Sequence, residues 1–159
     1  MSFGNGMTEP HKRYPTIVEK LRKGGFKLTP QRMAIAEILA HSEDHPSVEE
    51  IFRRLKEAFP TMSLATVYRN VLVLKSLGEA LELGFPDGRN RYDGNRPYPH
   101  PHAVCIRCRA IVDPAVDGIQ DITRAVADAT GFQILTHRLD FFGICRTCQE
   151  QNDPDRGQE

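Results

Sequence analysis

No stretch of the 159 residues is apolar for long enough to cross a bilayer, and none resembles a secretory signal, so a soluble protein with no membrane partner is expected. Net charge is missing too: 21 basic side chains balance 21 acidic ones, which argues against a globally basic nucleic-acid binder but not against a local basic patch. Dividing the chain near Phe85 leaves a small cationic excess before it and a matching anionic excess after it, a distribution that permits DNA binding without demonstrating it. There is no low-complexity tract, and the one repeat is a doubled cysteine motif. No cysteine is left over either, because Cys105, Cys108, Cys145 and Cys148 all fall in two C-x-x-C pairs. A spare thiol would have suggested nucleophilic chemistry, and there is none, so the chain is not expected to be an enzyme.

Two C-x-x-C turns can aim four thiolates at one ion, and zinc accepts four thiolates without a geometric preference of its own. Structural zinc on Cys105, Cys108, Cys145 and Cys148 is therefore expected, against the alternatives of two disulfides or two redox pairs, which are uncommon as structural elements in the cytosol. A closed four-thiolate site has no open position and holds the fold without doing chemistry. His100 and His102 lie just upstream, in P-H-P-H-A-V-C, with Asp113 shortly after. In an extended segment both imidazoles project to one side, while Pro101 and Cys105 face away. This is a two-nitrogen clamp, separate from the thiolates. A pair of histidines is weak evidence alone, since a histidine is more often a surface residue than a ligand, and the clamp needs oxygen partners from elsewhere.

The first half reads as helices. Tyr14 to Lys23 places Ile17, Val18 and Leu21 on one face and Arg13, Lys20, Arg22 and Lys23 on the other, a solvated surface or, beside DNA, a set of phosphate contacts. Thr29 and Pro30 form a helix start, with Met33, Ile35, Ala36, Ile38 and Leu39 inward. Ser47 to Glu50 is a capping box that opens a third helix through Ala58, with Ile51, Phe52 and Leu55 inward. Ser63 caps a fourth, Leu64 to Ser76, striped by Leu64, Val67, Val71 and Leu74. Glu79 to Phe85 and Arg89 to Asp93, joined by a Pro86-Asp87-Gly88 turn, suggest a hairpin wing. On the fourth helix Ala65, Thr66, Arg69 and Val73 face outward, with Tyr68 and Asn70 flanking. An arginine there can reach guanine in a major groove, so Thr66, Tyr68, Arg69 and Asn70 are candidate DNA contacts. An ordinary amphipathic helix explains the same pattern.

Together, Leu28-Thr29-Pro30-Gln31-Arg32, His45-Pro46-Ser47, Ser63-Leu64-Ala65-Thr66-Val67-Tyr68-Arg69, the paired C-x-x-C and His137-Arg138-Leu139 resemble the ferric uptake regulator (Fur) superfamily, from about Tyr14 to Gln151. The resemblance implies an α+β chain: a winged-helix DNA-binding domain over residues 1–92 and a metal-binding dimerisation domain over 93–152; the polar composition after Cys148 adds a disordered tail over 153–159. It further implies a cytoplasmic homodimer whose binding to a palindromic double-stranded operator is controlled by metal. His45, Asp93 and Asp113 match ligand positions, so that His45, Asp93, His100, His102 and Asp113 form a regulatory site suited to iron(II) or manganese(II). An aspartate at position 113 is similar to the peroxide-responsive branch, in which the histidines matching His45 and His100 become oxidised. Iron, manganese or zinc availability sensing is the sibling reading. A zinc-ribbon module without a sensory metal and a thiol oxidoreductase are readings from other classes.

Several letters depart from that pattern. Pro99 and Pro101 bracket His100 where relatives carry ligands of an additional site, which is expected to be absent although its His137 remains. Pro101 also confines its segment to an edge or irregular stretch. One extra residue separates Asp93 from His100. Downstream, a short strand at Arg109 to Val112, a helix over Pro114 to Thr130 with Val116, Ile119, Ile122, Val126 and Ala129 inward, and a long strand over Phe132 to Ile144 are expected. So small a sheet backed by one helix needs a two-fold partner to bury its apolar surface. Met1 to His11 reads as a loose arm.

Overall fold

A computed structural model describes residues 13–85 and 88–151 and divides the chain into two units between Pro97 and Tyr98. The expected arm, the tip of the wing turn and the 153–159 tail lie outside the described residues.

The first unit is built on four helices: α1 (Arg13–Lys23), α2 (Pro30–His41), α3 (Val48–Leu55) and α4 (Leu64–Ser76). Their starts follow the local chemistry of the sequence. The Thr29 hydroxyl accepts the Arg32 N–H. Ser47 and Glu50 satisfy each other's backbone N–H groups in a complete capping box, a device that contributes on the order of 1 kcal/mol. Ser63 accepts from Thr66. Ile17, Leu21, Ile35, Leu39, Ile51, Val67, Val71 and Leu74 are sealed in one core. A two-stranded antiparallel wing follows, β1 (Leu81–Leu83) against β2 (Arg91–Asp93), with Leu81 opposite Asp93.

Several expectations need correction here. The third helix ends at Leu55 rather than Ala58, because 56–58 tighten into turns closed by the Phe59 N–H on the Leu55 carbonyl. Leu64 is exposed, not part of the stripe. Arg13 is buried, not solvated, because its guanidinium pairs with Glu79 and donates to the Gly94 carbonyl. Asn70 is turned inward at 7% exposure, where its amide donates to the Thr66 carbonyl and accepts from Arg32 Nε. That occupation withdraws Asn70 from the outward face.

The second unit holds a three-stranded sheet ordered β4–β3–β5, with β3 (Pro101–Cys105), β4 (Ile111–Val112) and β5 (Leu139–Gly143). β4 runs antiparallel to β3 and β5 parallel to it. Pro101 thus opens the central strand instead of lying on an edge, and it is tolerated because it is that strand's first residue. The last strand covers five residues, not thirteen, since β3 offers only five partners. The helix α5 (Ile119–Thr130) starts five residues later than expected because Gly118, at φ 87°, breaks the helical path. None of its residues is buried: Ile122 and Val126, expected inward, are exposed, as is Val116 ahead of the helix. A short α6 (Arg146–Glu150), unanticipated, closes the described chain.

Candidate metal centre

The sheet register assembles the cysteines. Cys105 ends β3 level with Gly143 of β5, which delivers the chain directly to Cys145, the N-cap of α6. The first knuckle closes with the Arg109 N–H on the Cys105 carbonyl, Arg109 adopting φ 64°. Arg107 ties the two knuckles by donating to the Cys148 carbonyl at 3.0 Å. The four sulfurs lie within 4.8 Å of one another, and Cys108 and Cys145 stand 3.7 Å apart. Sulfurs around one zinc at about 2.3 Å are about 3.8 Å apart, whereas a disulfide brings them to about 2.05 Å. The donor set and spacing fit zinc. Backbone N–H groups of Cys145 and then Cys108 aimed at Cys105 lower its thiol to about 6, favouring thiolate, while the neighbouring Cys145 sulfur and burial push Cys148 up to about 12. A dication shared by all four would offset that mutual repulsion.

The same sheet arranges the clamp. β3 and β4 pair Ala103 with Val112, so the next step of the ladder sets His102 across from Asp113. Asp113 lies 3.3 Å from His100 Nε2 through one oxygen and 3.8 Å from His102 Nε2 through the other. The ring centroids of His100 and His102 are 4.3 Å apart, as the shared strand face requires. On their far sides both rings are oriented: His100 Nδ1 donates to the Tyr98 carbonyl at 2.8 Å and His102 Nδ1 to Asp140 at 3.3 Å. Donating through Nδ1 fixes the tautomer that leaves Nε2 as a metal-binding lone pair, the usual support for a ligating imidazole. Donor atoms about 3 to 3.5 Å apart suit one ion at bond lengths near 2.1 Å. Asp140 escaped the sequence reading because nothing local predicts the parallel register that sets it beside His102.

In the first unit, His45 and Asp93 form a buried pair, Nε2 to Oδ2 3.3 Å, each only 1–2% exposed. His45 sits in the left-handed region, φ 50°, a conformation that costs a non-glycine residue on the order of 1 kcal/mol and persists only where its surroundings impose it. Here β2 imposes it. The Tyr92 N–H donates to the Pro46 carbonyl, Arg91 donates to the His45 and Asp44 carbonyls, and the wing thereby holds the loop that carries the imidazole. Asp93 is itself aimed: its Oδ1 accepts the N–H groups of Asn95 and Arg96, both at 2.8 Å. Oδ2 is the atom that meets His45.

On α4, Ala65, Tyr68 and Arg69 face solvent, Thr66 is half-buried with its hydroxyl 3.0 Å from that of Ser63, and Asn70 is inside. Among the described residues, no helix is long and apolar enough to cross a membrane.

Residues 23–142 match the model of the Ferric uptake regulator family. The chain belongs to that family. Among its relatives, the peroxide operon regulator of Bacillus subtilis is 38% identical over 136 residues, covering 86% of this chain and 93% of that one. A solved zinc-bound manganese uptake regulator is 33% identical, with a TM-score of 0.66 over 82% of this chain and 98% of that one. The PerR of Streptococcus pyogenes, described as a structural basis for peroxide sensing, is 34% identical with a TM-score of 0.50, over 86% of this chain and 93% of that one. A winged-helix unit followed by a small α/β unit with four cysteines fits this Fur-family membership.

Proposed function

We propose that the chain is a metal-dependent transcriptional repressor that senses hydrogen peroxide, a cytoplasmic regulator and not an enzyme, and that it binds a palindromic operator as a homodimer. His45 and Asp93, with His100, His102 and Asp113, are assigned as ligands of one regulatory iron(II) or manganese(II), while Cys105, Cys108, Cys145 and Cys148 carry zinc. The observation that carries this reading is the sorting of donors: each unit offers a group of imidazole and carboxylate with no thiolate in it, and the thiolates of the second unit are gathered in a separate site. Nitrogen and oxygen donors suit iron(II) and manganese(II); four thiolates suit zinc.

His45 and Asp93 supply too few donors to hold an ion alone, while His100, His102 and Asp113 form a two-imidazole, one-carboxylate set that leaves coordination positions open. An ion that completes its shell with both sets makes the orientation of the DNA-binding unit depend on occupancy. A palindrome demands two recognition helices about 34–36 Å apart, or a multiple of that, so fixing the orientation favours binding. Iron(II) held by these residues would supply the electron that splits hydrogen peroxide, and the imidazoles would be the oxidisable groups nearest to it. In net, one peroxide oxygen would end on His45 or His100 and the other would leave as water; the resulting 2-oxo form lacks the nitrogen lone pair, which would loosen the site and release the operator. The zinc thiolates stay out of this chemistry until oxidation is severe. The likeness to the B. subtilis and S. pyogenes peroxide regulators supports the peroxide reading. The comparable likeness to a manganese uptake regulator supports the sibling, metal availability alone.

The deciding experiment takes a palindromic duplex selected from a random pool by the metal-loaded protein. Binding is then followed with and without peroxide for iron-loaded and manganese-loaded samples. The peroxide reading expects release from the iron form only, with one oxygen atom added to the peptide holding His45 or His100. Intact binding and unmodified peptides in the iron form would leave the metal-availability sensor.

A further inference from the structure

We infer that Arg13, in the first turn of α1, is a positioning residue for the Asp93 carboxylate, so that the first helix helps set the affinity of the regulatory site. This rests on the reading above that Asp93 is a ligand.

Arg13 is an unusual place for a cation: the residue is 4% exposed, and a buried guanidinium persists only when its charge and its donors are met. Both are met here. Nη2 pairs with Glu79 Oε2 at 2.8 Å, and Glu79, 1% exposed, is also engaged by Lys20 of the same helix. Nε and Nη2 then converge on the carbonyl of Gly94, at 2.9 and 2.8 Å. Gly94 is the residue after Asp93 and begins the turn whose next two N–H groups, Asn95 and Arg96, hold Asp93 Oδ1. Its other side is closed. A Cβ on Gly94 would come within 2.7 Å of Leu39 Cβ and 2.9 Å of the Leu39 carbonyl oxygen, so only glycine lets the turn lie against α2.

Asp93 is thus held from three directions: by its strand, by its own turn, and by a charged fork reaching that turn from α1. Loss of the fork frees the Gly94 carbonyl to rotate, which misaims the two N–H groups and, through them, the oxygen that faces His45. Lysine cannot replace it, because one ammonium on a flexible stem does not present two donors in a plane to one carbonyl while also pairing with Glu79. Groups that orient a ligand in this way typically change metal affinity about 10–100-fold when removed.

The test titrates Mn(II) into full-length protein that retains its zinc but has lost loosely held metal, with free Mn(II) read by electron paramagnetic resonance. Arg13→Lys is expected to weaken Mn(II) binding by at least about tenfold, with zinc content unchanged. Should Arg13→Lys fail to fold, Glu79→Gln, which keeps the shape and releases the fork's anchor, makes the same test. Asp93→Ala separates the layers. If Asp93→Ala binds Mn(II) as tightly as the parent, Asp93 is no ligand and this inference falls with that assignment. If Asp93→Ala weakens binding and folded Arg13→Lys does not, the inference alone is overturned. A purely structural role for Arg13 predicts an equal Mn(II) penalty with Asp93 present or absent. Positioning predicts that Arg13→Lys adds little once Asp93 is gone, and an additive pair would overturn it.

Discussion

Asn70 shows how far a helical wheel can mislead by one position. It flanks the outward arc of α4, yet it is buried and joins Arg32 of α2 to the Thr66 carbonyl. Arg32 is further engaged by the Lys27 carbonyl and lies over the Phe26 ring. Asn70→Ala should therefore lower unfolding stability by about 1–3 kcal/mol, the range for leaving polar partners unmet; a urea midpoint unchanged from the parent would show that Arg32 finds other partners. Asp113 makes a different residue-scale case. Its two oxygens meet two different imidazoles, 3.3 and 3.8 Å away, and an added methylene would carry the carboxylate toward one at the expense of the other. Asp113→Glu is expected to keep metal-dependent binding while blunting peroxide release of the iron form, and equal peroxide sensitivity in both proteins would count against position 113 as the determinant. Cysteines, caps and clamp histidines were legible because their partners lie a few residues away or because their spacing is itself the signal. Arg13 and Asp140 were not: the first acts on a carbonyl 81 residues on, the second on a histidine 38 residues back, and only the folded register brings them together.

At the scale of elements, α4 and the wing are tied by Glu82 of β1, which Lys75 of α4 engages and to which Asn90 and Tyr92 donate. The Lys75 ammonium, then the Asn90 and Tyr92 donors, hold the Glu82 carboxyl below the ordinary glutamate value despite partial burial. A carboxylate with a depressed folded value stabilises the fold above its unfolded value, and that contribution is lost as pH falls through the folded one. Glu82→Gln should therefore have a lower Tm than the parent near neutrality, with the gap narrowing on acidification through the carboxylate range. A gap independent of pH would mean the ion pair is too screened to matter. Arg69, on the exposed face of the same helix, is a candidate for contact with a DNA groove. Arg69→Ala should weaken specific binding by roughly 1–3 kcal/mol without altering the oligomer, and unchanged affinity in a gel-shift titration would remove that assignment. The helices of the first unit were readable because each carries a core stripe and α2, α3 and α4 each carry a side-chain cap as well. Apolar letters alone over-extend the strand across Phe132 to Ile144 and the helix from Pro114, because they mark a buried or associating surface as readily as regular structure. A ladder only as long as β3 and a left-handed Gly118 set the true limits.

For the molecule as a whole, the second unit leaves much apolar surface uncovered: Ile122 and Val126 on α5 are 56% and 46% exposed, and Phe132, Phe141 and Phe142 more than half. Scattered apolar side chains on a surface are ordinary, but a helix with no buried residue and a strand with two exposed phenylalanines do not make a finished core. Members of this family are dimeric DNA-binding repressors, and a two-fold partner covering α5 and β5 would complete that core. Stability then depends on association, so Tm should rise with protein concentration by mass action. Charges placed on the covered helix face should separate the protomers: Ile122→Glu with Val126→Glu is expected to run as a monomer in sedimentation and to lose operator binding. Zinc content should be retained, because Cys105, Cys108, Cys145 and Cys148 all belong to one chain. A dimer of unchanged affinity in that variant would place the interface elsewhere on the second unit, and loss of zinc together with the dimer would mean that the thiolate site forms only after the protomers have met.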